Sequence, residues 1–261
     1  MLKSTELLGG SDPDPVMLGR EGGRSPFLLA CDHAGNAIPA RLGTLGLGEA
    51  DREDHIAIDI GIFSTSHWLA HRLDAPLIGQ AYSRLVIDCN RRPGTMTSMP
   101  KVSDGRIVPG NADISEEERR QRVAEIFSPY HTALAQLIAV RTSFLGMPPI
   151  LCAMHSFTRV YGGRTRDCDI GVIHGEETEI ASRLIHRLKT FGDLRVGYNV
   201  PYEIDFAGDH TIPAHAVEGR IPYIEIEICQ DLIATCAGQR KLAFMFEAAF
   251  GDVEAALARS G

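Results

Sequence analysis

Apolar and polar positions change rhythm repeatedly along this chain. Short apolar runs that stop at turn or polar residues give way to longer stretches of helical spacing. Phe27-Leu-Leu-Ala-Cys is such a run, and it ends at Asp32-His33-Ala-Gly, which predicts a strand followed by a turn. From about Glu53 to Leu73 the spacing is helical, with Ile56, Ile60 and Phe63 marking the apolar face. Asp59 lies three residues after Ile56 and four before Phe63, so it falls on that same face. Arg84-Leu-Val-Ile-Asp-Cys reads as a buried strand that runs into Asn90-Arg91-Arg92-Pro93, where proline ends it. Residues 93–113 form a long polar loop, of a length that in a compact domain is usually functional or disordered. Ser115 and Glu118 fit a capping box. The helix after it carries Val123, Ile126, Phe127, Tyr130, Leu134, Leu137 and Ile138 at core spacing.

The second half continues in the same way. Ile150-Leu-Cys-Ala-Met is a strand that ends at His155-Ser156-Phe157, and Ile170-Gly-Val-Ile-His is another. A helix follows at about 177–191, then a short strand near Leu194–Gly197 and a helix starting near Thr211. Tyr223-Ile-Glu-Ile-Glu-Ile-Cys is a further strand, and an amphipathic helix covers about 239–258. Residues 1–24 are rich in Gly, Asp and Pro without a period and read as a loose arm, which leaves 25–261 as one domain with no internal repeat. Strands that alternate with helices predict the α/β class, here a single three-layer α/β/α domain around a mixed, mostly parallel sheet.

Composition narrows the function without naming it. The 261 residues are 44% hydrophobic and 23% charged, which is ordinary globular usage. The formal net charge of -8 disfavours general affinity for nucleic acid. No apolar stretch approaches a membrane span, and no basic-then-apolar leader opens the sequence. Cys31, Cys89, Cys152, Cys168, Cys229 and Cys236 form no C-x-x-C pair, so a zinc ribbon is excluded. Most sit in apolar runs, as free thiols of a cytoplasmic protein do.

The chemistry collects at predicted strand ends, where open α/β sheets build their sites. His33 follows the first strand, Asp88, Asn90 and Arg91 close another, His155 closes a third and Glu227 lies near the end of a fourth. A lone histidine after a strand is more often a hydrogen-bonded structural residue than a ligand. An aspartate on an apolar helix face, such as Asp59, needs a partner when buried. Glu225 and Glu227 alternate with isoleucines as on a half-exposed strand, where one of them would simply face solvent. Together, however, two histidines and a carboxylate are the usual composition of a catalytic zinc site. A nearby glutamate would be its general base. Arg84, Arg91 and Arg166 supply fixed positive charge for a carboxylate or an oxyanion.

Four ordered motifs resemble the N-formylglutamate amidohydrolase family. They are Cys31-Asp-His-Ala-Gly-Asn-Ala-Ile-Pro39, Tyr82-Ser-Arg-Leu-Val-Ile-Asp-Cys-Asn-Arg91, His155-Ser-Phe-Thr158 and Glu227-Ile-Cys-Gln-Asp-Leu232. That family is in turn similar to zinc carboxypeptidases and aspartoacylase-like deacylases. The resemblance thus implies a phosphorylase/hydrolase-like, zinc-exopeptidase-like fold and an enzyme of amino-acid catabolism, such as histidine degradation. It implies zinc, or another divalent metal, on His33 and His155, with Asp88 bracing His33 and Glu227 as the catalytic glutamate. It also implies a carboxylate grip from Asn90 and Arg91. Two positions depart from the pattern. Asn36 stands where the carboxypeptidases carry a glutamate ligand; asparagine binds zinc poorly, so Asp59 is the favoured third ligand, with Asn36 the alternative and otherwise a pocket residue. Cys229 stands where relatives often have arginine.

The expected activity is removal of a formyl or other small acyl group from an N-acyl derivative of an acidic amino acid. Arg84 would stabilise the oxyanion, and Ser156, Arg166 and His215 would line the pocket with Asn36, Asn90 and Arg91. The loop at 93–113 would serve as a lid. The expected partner is a small anionic N-acyl amino acid, with no nucleic acid and no membrane, and a homo-oligomer stays open. Two other readings remain at this point. One is a carboxypeptidase or amidase acting on short peptides or cell-wall fragments, and the other is a non-catalytic binding protein on the same fold.

Overall fold

In the computed structural model, residues 6–175 and 178–260 are described. The strands are β1 (Val16–Gly19), β2 (Phe27–Cys31), β3 (Leu77–Gln80), β4 (Val102–Ser103), β5 (Arg106–Ile107), β6 (Ile150–Phe157), β7 (Val160–Tyr161), β8 (Arg164–Thr165), β9 (Ile170–Ile173), β10 (Val196–Tyr198) and β11 (Tyr223–Cys229). The α-helices are α1 (Glu49–Arg52), α2 (Ile62–Leu73), α3 (Glu116–Arg122), α4 (Ser128–Leu145), α5 (Thr178–Lys189) and α6 (Cys236–Ser260). Seven strands form one sheet in the order β1-β3-β2-β6-β11-β9-β10, and β4–β5 and β7–β8 are separate hairpins. The centre, from β3 through β2 and β6 to β11, is parallel; β1 pairs antiparallel with β3, and β9 antiparallel with β11.

Alternation along the strands assigns the two faces. Phe27, Leu29 and Cys31 of β2, Ile150, Cys152 and Met154 of β6, and Ile224, Ile226 and Ile228 of β11 pack with residues of α2, α5 and α6. Leu28 and Ala30, Leu151 and Ala153, and Tyr223 belong to the opposite core, which includes Tyr130, Leu134 and Leu137 of α4. Strands buried on both faces read as continuous apolar runs, as expected for the parallel centre of a three-layer α/β/α domain. Phe250 of α6 is fully buried, edge-on to Phe27 with ring centroids 4.7 Å apart. Phe250→Ala is therefore expected to destabilise the domain by about 3–5 kcal/mol in denaturant unfolding. A loss below about 1 kcal/mol would mean that the helix layer repacks freely around the gap.

The capping box forms: Ser115 Oγ accepts from Glu118 N–H at 3.2 Å, and Glu118 Oε2 accepts from Ser115 N–H at 3.1 Å. Other expectations need correction. Residues 16–19, read as part of a loose arm, add a strand to the sheet edge, while Glu125 accepts from the Leu7 and Leu8 amides at 2.8 Å. Residues 1–5 of that arm, and residue 177 at the start of the expected 177–191 helix, lie outside the described residues. Leu85–Cys89 is buried and Arg84 half-buried, but the segment is not a strand: Ser83 Oγ accepts from Leu85 N–H at 3.2 Å, and the Ser83 carbonyl accepts from Val86 N–H at 2.9 Å, closing turns instead. The sheet position belongs to Leu77–Gln80, just upstream, since short apolar runs carry burial but not conformation.

The predicted helix over 53–73 begins only at Ile62. Gly61 has φ 76°, and a Cβ there would come within 2.1 Å of the Ile233 carbonyl oxygen, so the chain turns sharply just after Asp59. Residues 93–113 are not a structureless lid. They contain the β4–β5 hairpin, and Asp104 at its tip bonds His55 Nε2 at 3.0 Å and Gly162 N–H at 2.9 Å. No described helix is long and apolar enough to cross a membrane.

Candidate active site

Because β2, β6 and β11 run parallel, their carboxyl ends meet at one rim of the sheet. His33 lies two residues beyond β2, His155 lies in β6, and Glu227 is its register partner in β11. With Ile224, Ile226 and Ile228 committed to the helix layer, Glu225 and Glu227 share the opposite face. Neither faces solvent: they are 7% and 6% exposed and line a cavity of ≈ 470 Å³. His33, Asp59, Arg84, Asp88, Asn90, Arg91, His155, Ser156 and Arg166 line the same cavity, so most of the predicted residues are brought together.

At its floor, Asp59 Oδ2 stands 3.3 Å from His33 Nδ1 and 3.0 Å from His155 Nδ1. One donor atom from each of these three buried residues falls within 4.8 Å of the others. The far nitrogens of both rings turn to carboxylates. His33 Nε2–H donates to Asp88 Oδ1 at 2.8 Å, and His155 Nε2 lies 3.3 Å from Asp32 Oδ2. Both imidazoles therefore present Nδ1 to a common point. His33 Nδ1 has no hydrogen-bond partner there, which in a buried ring is unfavourable by about 1–3 kcal/mol. An orphaned ring nitrogen, a second imidazole and a carboxylate converging at these distances fit a divalent cation of the zinc type.

Asp59 reaches this point from the turn before α2, not from a helix face. It is tied on every side: Oδ1 accepts from Arg84 Nη1 at 3.2 Å, and Oδ2 accepts from Ser156 N–H at 3.1 Å. Burial alone would raise its pKa, but His33, His155 and Arg84 hold it well below the usual carboxylate range. Burial opposes ionisation of Asp88 too, and is outweighed by Arg84 and His33. The glutamates behave differently. Burial pushes Glu227 and Glu225 up, against the pull of His155; Glu225 adds to the rise at Glu227, and Asp209 to that at Glu225. Glu227 Oε2 has no hydrogen-bond partner. A cation at the His33–Asp59–His155 point would favour its anion.

Two predicted pocket residues do not reach the cavity. Asn36 is exposed, and its Nδ2–H donates to the Arg52 carbonyl at 2.9 Å. A Cβ on Gly35 would lie 2.1 Å from the Ala81 carbonyl oxygen, and Ala37 bridges to Tyr82, so the chain leaves His33 along β3 and carries Asn36 outward. His215 stacks on His131 at 5.1 Å. His131 Nε2–H donates to the Cys89 carbonyl at 2.9 Å, so its bare Nδ1 accepts from His215 Nε2–H at 2.9 Å. Burial lowers the pKa of these rings to about 3 for His131 and about 4 for His215, consistent with a neutral pair behind the wall.

Asp32 is a site residue that strand-end reasoning passed over, although it adjoins His33 in sequence. It is 1% exposed, and its Oδ1 accepts from Tyr130 Oη–H at 2.9 Å and from Thr211 Oγ1–H at 2.7 Å, which aims Oδ2 at His155. Asp32→Asn is expected to weaken metal binding by about 10–100-fold in chelator competition, the range for lost outer partners of metal histidines. An unchanged affinity would leave Asp32 with a packing role only. Asn90 also acts through structure: its Oδ1 accepts from the His210 and Thr211 amides at 3.3 and 3.1 Å.

Fold and site together define a three-layer α/β/α protein whose titratable groups gather at the carboxyl ends of three parallel strands. Residues 25–234 match the family model described as N-formylglutamate amidohydrolase, and the chain belongs to that family. It is accordingly a hydrolase acting on a linear amide carbon–nitrogen bond. An N-formylglutamate deformylase of Pseudomonas aeruginosa is 25% identical over 227 residues, covering 80% of this chain and 82% of that protein. A gene product of Agrobacterium tumefaciens of known structure is 31% identical, with a TM-score of 0.90 over 97% of this chain and 100% of that one. An N-formylglutamate amidohydrolase from Ralstonia eutropha shares the fold, with a TM-score of 0.69 at 18% identity over 95% of this chain and 100% of that one.

Proposed function

We propose that this protein is a metal-dependent deacylase of N-acyl amino acids. It would release formate, or another small acid, and the free amino acid, on the pattern of N-formylglutamate hydrolysis to formate and L-glutamate. One observation carries the reading. Nδ1 of His33, Nδ1 of His155 and Oδ2 of Asp59 converge in a cavity of ≈ 470 Å³ that Glu227 also lines, its Oε2 without a hydrogen-bond partner. That volume suits a small acylated amino acid better than a peptide.

His33, His155 and Asp59 would hold the metal, with zinc favoured by the donor set. When bound, the metal supplies Lewis acidity to the amide carbonyl and lowers the pKa of water. Glu227 accepts the proton from the attacking water and returns it to the leaving amine nitrogen. Asp88 holds the His33 imidazole in the tautomer that leaves Nδ1 free, and Asp32 Oδ2, 3.3 Å from His155 Nε2, would do the same for His155 once its Nδ1, now bonded to Asp59, took the metal. Arg84 fixes Asp59 and Asp88 and sets a positive charge beside the site of the developing oxyanion. Arg166, at the aromatic edge of the cavity, anchors the substrate carboxylate, while Asn90, Arg91 and Ser156 shape the walls. The cysteines are free, five of them buried, which suits a reducing compartment such as the cytoplasm.

The test is formate release from N-formyl amino acids by protein stripped of metal and then reloaded with zinc. Activity restored by zinc supports the reading. No acid released from any N-formyl or N-acetyl amino acid, with zinc present, refutes it.

A further inference from the structure

Three segments meet at the rim of the cavity, and one carboxylate joins them. The β4–β5 hairpin turns on Asp104 and Gly105, at φ 42° and 75°, the aspartate–glycine pair that a tight two-residue turn favours. Asp104 Oδ2 bonds His55 Nε2 at 3.0 Å, and its Oδ1 accepts from Gly162 N–H at 2.9 Å. Asp54 Oδ1 bonds the other ring nitrogen of His55 at 2.8 Å, so the ring is held from both sides. Arg106 of the same hairpin pairs with Asp51 at 3.1 Å and with Asp54 at 2.6 Å. The hairpin is thereby fastened to the segment 51–55 through both Asp104 and Arg106.

Gly162 stands at the turn of the β7–β8 hairpin, whose strands have two residues each and are exposed. A hairpin that short is marginal alone, so the Asp104 bond is a large part of what fixes it. Its base is closed by Arg166 N–H, which donates to the Arg159 carbonyl at 2.9 Å. Arg166 therefore takes its position from this hairpin. Its guanidinium lies 4.7 Å from the ring of Tyr161 in β7 and 4.6 Å from that of Tyr202, and its Nη1 donates to the Thr158 carbonyl at 3.2 Å. Among the described residues no carboxylate pairs with it. His55, Ser103, Tyr161 and Arg166 all line the cavity, and Asp104 stands behind them.

We propose that Asp104 is a positioning residue for substrate binding: by clasping the two hairpins together it holds Tyr161 and Arg166 where Arg166 receives the substrate carboxylate. This rests on the deacylase reading above and deepens it. Without the clasp, the β7–β8 hairpin and its guanidinium must be ordered anew each time substrate binds, and that ordering is paid from binding free energy. The groups that move the proton and hold the metal lie elsewhere, on β6, β11 and the turns after β2 and before α2. Loss of Asp104 therefore weakens binding in the ground and transition states alike, which raises KM and leaves kcat in place.

Asp104→Gly makes the test, because glycine removes the carboxylate and still accepts the left-handed backbone of the turn. With the zinc-loaded full chain and an N-formyl amino acid as substrate, this variant is expected to raise KM about fivefold or more with kcat within about twofold. Asp104→Asn is expected to recover most of that loss, since its amide oxygen still accepts from Gly162 N–H. In an Arg166→Gln background, Asp104→Gly is expected to raise KM no further, because the clasp acts through Arg166. Hydrogen exchange reads the clasp without any turnover: amides of residues 160–165 are expected to exchange about tenfold faster in Asp104→Gly, while those of β6 and β11 keep their protection. An unchanged KM, unchanged exchange at 160–165, or the same KM effect with and without Arg166 overturns the proposal while wild-type turnover keeps the deacylase reading. A wild type silent toward every N-formyl and N-acetyl amino acid fells the deacylase reading and this proposal with it.

Discussion

Glu227→Gln is expected to lower kcat by about 10²–10⁴-fold while leaving the metal in place. Glutamine keeps the shape of the side chain but cannot accept and return a proton. The reason lies in its position. Glu227 is the register partner of His155, it is 6% exposed, and its Oε2 has no hydrogen-bond partner. A structural glutamate in that place would be paired, since burying an unsatisfied carboxyl is unfavourable. Two measurements decide the matter together, turnover of an N-formyl amino acid and metal content of the purified variant. If metal is lost along with activity, Glu227 is a ligand and not the base. If activity persists within about tenfold, the proton acceptor is another group, and Glu225 on the same face of β11 becomes the first to test.

Asp59→Asn is expected to weaken zinc binding by more than about a hundredfold, beyond the range for outer partners, because an amide oxygen is a far poorer ligand than a carboxylate. The near-isosteric change lets the amide oxygen still accept from Ser156 N–H, which bonds Asp59 Oδ2 at 3.1 Å. A loss of metal affinity is then separable from a loss of fold, which thermal unfolding reports. The His33→Ala and His155→Ala variants are expected to show the same loss. Zinc bound by Asp59→Asn as tightly as by the wild type would remove the aspartate from the ligand set. Metal loss in all three variants with the fold retained is the pattern that the convergence on Asp59 Oδ2 requires.

Several features of this site were visible in the sequence. Apolar runs that stop at a polar residue mark strand ends, and those runs located His33, His155 and Glu227 without knowledge of the chain's path. The alternation of Tyr223–Cys229 showed that Glu225 and Glu227 share a face, though not that the face is covered. Burial of Leu85–Cys89 was legible while its conformation was not, because turns closed by Ser83 bury apolar side chains as well as a strand does. The helical setting that spacing assigns to Asp59 is not the one it has. The left-handed turn at Gly61, and not a helix face, delivers it to the histidines.

The sequence by itself determined the α/β class and which histidines and glutamates stand at strand ends. Period-two and helical spacing are local properties, and parallel strands carry their sites at one rim. The tertiary structure alone decided the rest. It placed Asp32 behind His155, gave Asp209 to Arg91, left Arg166 without a carboxylate among the described residues, and carried Asn36 and His215 away from the cavity. Each of these depends on which distant segments lie side by side. Strand order, a tight glycine turn and the close approach of Gly35 to Ala81 set those neighbours, and no local spacing of residues encodes them.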